Sequence, residues 1–197
     1  MGVSKQQAIE NKEAIVAAAE KLFRERGVAA VGLAELTKAA GFTQGGFYNH
    51  FESKDALVAA VMDRAVADGA AEIVTAIEAS QTKALDPMKC LVEWYLSTDH
   101  RTDIEKGCPL TVFAGDVRRL GNEAREAYAK GLASNFDQLA SVIDGDTPQE
   151  KRKKAIALFS QMVGSLLLSR AVVDADSALA DEILQAGRQQ SLRAIDA

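Results

Sequence analysis

Proline is the residue that most sharply limits what this chain can fold into. There are three in 197 residues, and each stands where a helix would begin: Pro87 after Asp86, Pro109 after Gly107-Cys108, and Pro148 within Thr147-Pro148-Gln149-Glu150. Proline lacks the N–H that a helix interior needs, but at the first helical position that group has no partner to lose. The Thr147 run also reads as a capping box, in which a Thr hydroxyl and a Glu carboxylate satisfy open backbone N–H groups. The long stretches between these points are rich in Ala, Leu, Glu, Gln, Lys and Arg, all good helix formers. Alternating β-branched and polar runs are scarce. The chain reads as all-α.

Apolar periodicity divides it into nine helices. The first covers roughly 6–26, with Ile15, Ala18, Ala19, Leu22 and Phe23 on one face and Gly27 as its stop. A second runs from Leu33 to Ala40, and Gly41 makes a turn. Thr43 caps a short third helix through about His50. Ser53 caps a long fourth, with Leu57, Val58, Val61, Met62, Ile73, Val74 and Ile77 as its stripe. A fifth opens at Pro87, a sixth at Pro109 and a seventh after Gly121-Asn122. The eighth runs from Pro148 to about Val173 and the ninth over roughly 177–194. No internal repeat or long linker interrupts them.

Hydrophobic residues make up 48% of the chain, enough for a substantial core. The polar start, MGVSKQQAIENKEA, carries no export signal, and Leu166-Leu167-Leu168 is cut short by Arg170, so no membrane span is expected. Cys90 and Cys108 are too few for a disulfide framework, which points to a reducing cytoplasm. The net charge of −5 is unevenly spread: residues 1–55 hold seven basic and seven acidic side chains, so the remainder carries it all. Any nucleic-acid binding must come from local placement of groups.

Residues 41–54, GFTQGGFYNHFESK, provide such a placement. Adjacent glycines in a helix cost about 0.8–1 kcal/mol each relative to Ala. They suit a surface that another molecule approaches closely. Two short helices joined by a glycine turn on a preceding helix form a helix-turn-helix, whose second helix enters the DNA major groove. In this reading Gly45 and Gly46 allow close approach, while Thr43 and Gln44 lead toward base edges. Tyr48, Asn49, His50 and Lys54 would bond phosphates, with the start of the fourth helix adding backbone N–H groups. Phe47 and Phe51 point inward against Leu22, Leu36 and Val58.

The chain resembles the TetR-type bacterial transcriptional regulators. The likeness is carried by Ala17-Ala18-Ala19-Glu20-Lys21-Leu22-Phe23, Arg26-Gly27, Leu36-Thr37-Lys38-Ala39-Ala40-Gly41 and the run from Gly45 to Leu57. Gly107-Cys108-Pro109-Leu110 and Val163-Gly164-Ser165-Leu166-Leu167 extend it. The resemblance implies a nine-helix, all-α homodimer, with a DNA-binding domain over 1–52 and a ligand-binding and dimerisation domain over 53–197. It implies a non-enzymatic regulator, commonly a repressor, that leaves a palindromic double-stranded operator when a small-molecule effector enters a helical cavity. Helices around such a cavity carry Trp94, Tyr95, Cys108, Phe113, Tyr128 and Phe136. The implied dimer surface lies on the last two helices, with Phe159, Met162, Val163, Leu166, Leu167, Ile183, Leu184, Ala186 and Gly187. One departure is Gly32, where the family usually caps the second helix with Ser or Thr.

Cys108 has two readings. At a helix cap the dipole would favour its thiolate and suit a sensor of oxidants or electrophiles; alternatively it is a small apolar residue at a helix entry. Cys90 reads as core. His50 and His100 stand apart from any Cys/His cluster, so no metal or other cofactor is expected. Arg118-Arg119 and Lys151-Arg152-Lys153-Lys154 read as solvated faces. A Cys108-based redox enzyme and a helical adaptor are the competing functions. The first lacks a resolving cysteine and a base placed by sequence; the second would show no salt-sensitive DNA affinity.

Overall fold

The structure, a computed structural model, describes residues 4–196. It is all-α, and among the described residues there is no strand. In order the helices are α1 (Lys5–Arg26), α2 (Leu33–Ala39), α3 (Gln44–Tyr48), α4 (Lys54–Thr82), α5 (Pro87–Tyr95), α6 (Thr98–Thr102), α7 (Pro109–Val112), α8 (Asn122–Val142), α9 (Pro148–Val172) and α10 (Ser177–Ile195). A 3-10 turn, Val117–Arg119, precedes α8.

Local chemistry sets most of these starts. Thr43 Oγ1 accepts the Gly46 N–H at 3.1 Å, Ser53 Oγ accepts that of Ala56, and Asp86 Oδ1 accepts those of Met88 and Lys89. At α9, Thr147 Oγ1 accepts the Glu150 N–H, and Glu150 reaches back to the Asp146 N–H. Gly27 ends α1 at φ 79°, a conformation that disfavours any residue with a Cβ.

Among the described residues there are ten α-helices where nine were expected, and one of the nine is shorter than expected. Helix α6 is one polar turn, capped by Ser97 Oγ on the His100 N–H, and a five-residue segment is too short to show periodicity. The helix expected from Pro109 stops at Val112 after four residues. Beyond it Asp116 turns back to accept the Val28 N–H at 3.1 Å, which a continuous helix would prevent.

By packing the described residues form two compact units: residues 4–67 with 113–129, and residues 68–112 with 130–196. This grouping differs from a functional division at 52/53, because α4 and α8 each contribute to both units. In the first unit Ile15, Ala19 and Phe23 of α1 are buried with Val31, Leu36, Phe47, Leu57 and Met62. Each large apolar side chain so buried contributes about 1.5–3 kcal/mol. Val74, expected in the α4 stripe, is exposed.

In the second unit α9 and α10 form an antiparallel pair. They approach so closely that a Cβ at Gly187 would stand 2.6 Å from Ser165 Cβ. Five residues expected at a subunit interface, Phe159, Met162, Leu166, Leu184 and Gly187, are therefore buried inside the chain itself. Val163 and Ile183 are half-buried, while Leu167 and Ala186 are exposed. By length and composition α9 is apolar enough to cross a membrane. It has that character because both faces are apolar: Ala155, Leu158, Met162 and Leu166 point inward, while Ile156, Leu167 and Leu168 point outward.

Candidate nucleic-acid interface

Helices α1, α2 and α3 belong to the first unit, and their order and spacing make a helix-turn-helix. Phe47 is fully buried and stacks on buried Phe51, ring centroids 5.7 Å apart. This anchors the inner face of α3 and turns its other face to solvent. Thr43, Gln44, Gly45, Tyr48 and Asn49 are exposed, Tyr48 at 57%. Gly46 and His50 are half-buried, and the His50 ring meets Phe42 edge-on at 5.9 Å.

The two glycines differ. A Cβ at Gly46 would make ordinary van der Waals contacts, 3.4 Å from Thr43 Oγ1 and 3.6 Å from Phe42. At Gly45 a Cβ would meet nothing within 4 Å. The fold has no need of a glycine at that position. Gly32 is equally open, and α2 begins without a side-chain cap, as its sequence implied.

Lys54 is engaged within the chain. Its ammonium donates to the carbonyls of Val28 and Val31 at 2.8 and 2.6 Å and lies over the Phe23 ring. It closes the connection between α1 and α2, and it is a positioning residue for the motif.

The six residues expected to line an effector cavity are divided between the two units. Phe113 and Tyr128 fall in the first unit, where Phe113 is buried beneath the Arg24 guanidinium. In the second unit Trp94 is 47% exposed and stacks on His100 at 4.4 Å. Tyr95 is buried, with its hydroxyl 2.6 Å from Thr111 Oγ1. Burial and the neighbouring Cys108 push its phenol well above the ordinary value, so it stays protonated. Phe136 meets the edge of Phe159 at 6.0 Å, and Cys108 is a half-buried free thiol.

His100 lies beside Cys108, which sequence reasoning did not detect. Its Nδ1 is 2.7 Å from the Tyr95 carbonyl, and its Nε2 accepts the Cys108 backbone N–H at 3.1 Å. Both ring nitrogens are committed to backbone, so the imidazole does not serve the thiol as a base. Helix α7 is also a single turn, with little of the dipole the cap argument relied on.

This fold and this exposed second helix define a helix-turn-helix DNA-binding regulator. The sequence model of the bacterial regulatory proteins of the tetR family matches residues 15–61. The chain is 36% identical over 174 residues to the probable HTH-type transcriptional regulator ArpR of Pseudomonas putida, covering 82% of this chain and 80% of that one. It is 24% identical over 181 residues to the HTH-type transcriptional repressor NemR of Escherichia coli, covering 87% and 91%. The crystal structure of reduced E. coli NemR superposes with a TM-score of 0.76 at 21% identity, covering 94% of this chain and 98% of that one. The chain belongs to the tetR family.

Burial pushes the His100 imidazole below its ordinary value, and nearby Arg170 pushes the same way. The folded chain thus holds His100 neutral where the unfolded chain would take up a proton. Stability is unaffected well above the ordinary His pKa of about 6.5, and falls as pH drops through it. The thermal midpoint should decline between about pH 7 and pH 5, and the difference between wild type and His100→Gln should bend in that window. Parallel curves for the two proteins would refute this account.

Proposed function

We propose that this chain is a dimeric, effector-released repressor that reads a palindromic double-stranded operator through α3. Residues 1–52 would serve DNA binding and 53–197 effector binding and dimerisation. Gly45 is the observation that carries the reading. A glycine in a helix costs about 0.5–1 kcal/mol relative to Ala, and at Gly45 nothing in the protein requires it. A duplex pressed against the tip of α3 supplies the missing reason. Around it Thr43 and Gln44 face base edges, while Tyr48, Asn49 and half-buried His50 offer donors to phosphate. Near-neutral charge over residues 1–55 fits a protein that relies on such contacts more than on a general attraction to nucleic acid.

The second copy would cover the outer apolar face of α9 and α10. Ile156, Leu167 and Leu168 of α9 and Leu179 of α10 are exposed large hydrophobic residues. Half-buried Val163 and Ile183 and exposed Ala186 continue that face at helical spacing. Such a pair would set two α3 helices about 34–36 Å apart, one turn of duplex. A small molecule bound in the second unit would then favour a separation that cannot meet both half-sites. A tenfold preference for that state corresponds to about 1.4 kcal/mol. The protein would act in the cytoplasm, where a regulator of bacterial DNA meets its operator. Cys108, free and half-buried beside Tyr95, offers thiol modification as a second trigger.

Three measurements test this. Selection from random duplexes identifies the operator; on it, Gly45→Ala should lose at least about tenfold in affinity, ~1.4 kcal/mol, while unfolding about 0.5–1 kcal/mol harder. A more stable variant that binds equally well would remove the argument. Leu168→Glu should weaken dimerisation at least about tenfold by sedimentation without loss of helicity; an unchanged dimer would place the interface elsewhere. Oxidant-driven release from the operator should disappear in Cys108→Ser, and persistence of release would eliminate the thiol trigger.

A further inference from the structure

A neutral imidazole holds the start of α7 in place. His100 Nδ1 lies 2.7 Å from the Tyr95 carbonyl, which can only accept, so the ring proton sits on Nδ1. Nε2 is left as an acceptor, and it takes the Cys108 backbone N–H at 3.1 Å. The turn it grips has little slack. A Cβ at Gly107 would stand 2.6 Å from the Asp103 carbonyl oxygen, 2.8 Å from Arg170 Nη2 and 3.4 Å from His100 Nε2. Pro109, next along, presses on α4, where a Cβ at Gly69 would lie 2.9 Å from the proline ring.

Two stretches of chain lead from this turn to the same piece of backbone. Residues 109–116 run through α7 to Asp116, which accepts the Val28 N–H. Helix α4 runs back from Gly69 to Lys54, which donates to the carbonyls of Val28 and Val31. The connection between α1 and α2 is thus tied by two side chains. One continues along the chain to the turn that His100 holds, and the other to the helix that Pro109 presses.

A proton reverses the role of Nε2. The imidazolium carries an N–H on each nitrogen, so Nε2 would meet the Cys108 N–H donor against donor. Arg170 of α9 donates to the His100 carbonyl at 2.6 Å and opposes a second positive charge, whereas Asp103, just after α6, favours one. Arg101, beside His100 on α6, is engaged with Asp181 and Ser169. From α5, Trp94 stacks on the ring at 4.4 Å and Tyr95, a neutral phenol, meets it edge-on. The Cys108 thiol belongs to the turn itself. We propose that His100 is an acid-operated latch, closed on the Cys108 N–H when neutral and open when protonated, which frees the start of α7 to shift against α4. Burial favours the closed state, so opening falls below the ordinary imidazole value of about 6.5. The latch requires no DNA; that its opening weakens operator binding rests on the regulator reading above.

Amide hydrogen exchange on the full chain, expressed as protection factors and so corrected for the intrinsic effect of pH, tests the latch. Between about pH 7 and pH 5, protection of the Cys108 N–H should fall at least about tenfold while buried Leu158 and Phe159 of α9 keep theirs. Emission from Trp94, the one tryptophan in the chain, should change with the same midpoint, because its ring stacks on His100. His100→Gln supplies an acceptor that does not titrate, so both signals should stay flat in that variant, with helicity confirming its fold. Cys108 protection that is constant in wild type, or that falls equally in His100→Gln, would overturn the proposal. Simultaneous loss of protection at Leu158 and Phe159 would do the same, since that is unfolding. On the selected operator, wild type should lose at least about fivefold more affinity across this window than His100→Gln; equal losses would overturn the part of the latch in regulation. Exchange is measured without DNA, so a chain that binds no duplex leaves the latch standing, and constant protection leaves the operator measurements standing.

Discussion

The connection between α1 and α2 cannot satisfy its own backbone, and the DNA-reading unit depends on how that need is met. Val28 and Val31 are buried, yet their carbonyls and the Val28 N–H lie outside any helix. Lys54, from the first turn of α4, donates to both carbonyls. Asp116, from beyond α7, accepts the N–H. Hydrogen bonds to charged groups of this kind contribute about 1.5–3 kcal/mol each, and a buried backbone group left open costs a similar amount. Two distant segments thereby fix the turn that sets α2, and α2 in turn positions α3 through Leu36 and Phe47.

With its inner face held by Phe47 and Phe51, α3 has freedom only on its outer surface, and that surface is unusual. The helix is five residues long and begins with Gln-Gly-Gly. Thr43 compensates part of the cost by capping the Gly46 N–H. Gly46 has neighbours at van der Waals distance, whereas Gly45 has open space around it. A protein selected for stability alone would place alanine at Gly45. The conflict between local propensity and the observed residue is what marks a functional surface.

The second unit is organised around α9, which beyond its basic first turns is apolar on its outer as well as its inner side. Its inner residues pack against α5 and α10, and its outer residues remain in solvent within one chain. The close approach of Gly187 to Ser165 consumes one face of the α9–α10 pair. What is left over is an exposed apolar surface that includes Leu167 and Leu168. In the same unit buried polar atoms of Asn135, Gln138 and Ser191 have no hydrogen-bond partner.

Much of this was legible from residues alone. Helix starts at Thr43, Ser53 and Thr147 were evident because a cap bonds a group two or three residues away, and such contacts are written in adjacent letters; Pro87 marked the start of α5 in the same local way. The motif over residues 41–54 was legible for the same reason. Other features were decided only when distant segments met. Lys54 bears the same charge whether it contacts phosphate or caps carbonyls 23 and 26 positions back. His100 reached Cys108 through the unforeseen turn of α6, and the helix after Pro109 ended early because Asp116 was needed at α1. On α9, where apolar residues surround the axis, periodicity could not say which face turns inward; the fit of Gly187 against Ser165 settled that. Sequence determines structure unaided wherever the deciding partner lies within a turn, and tertiary structure decides wherever one side chain has several distant partners to choose from.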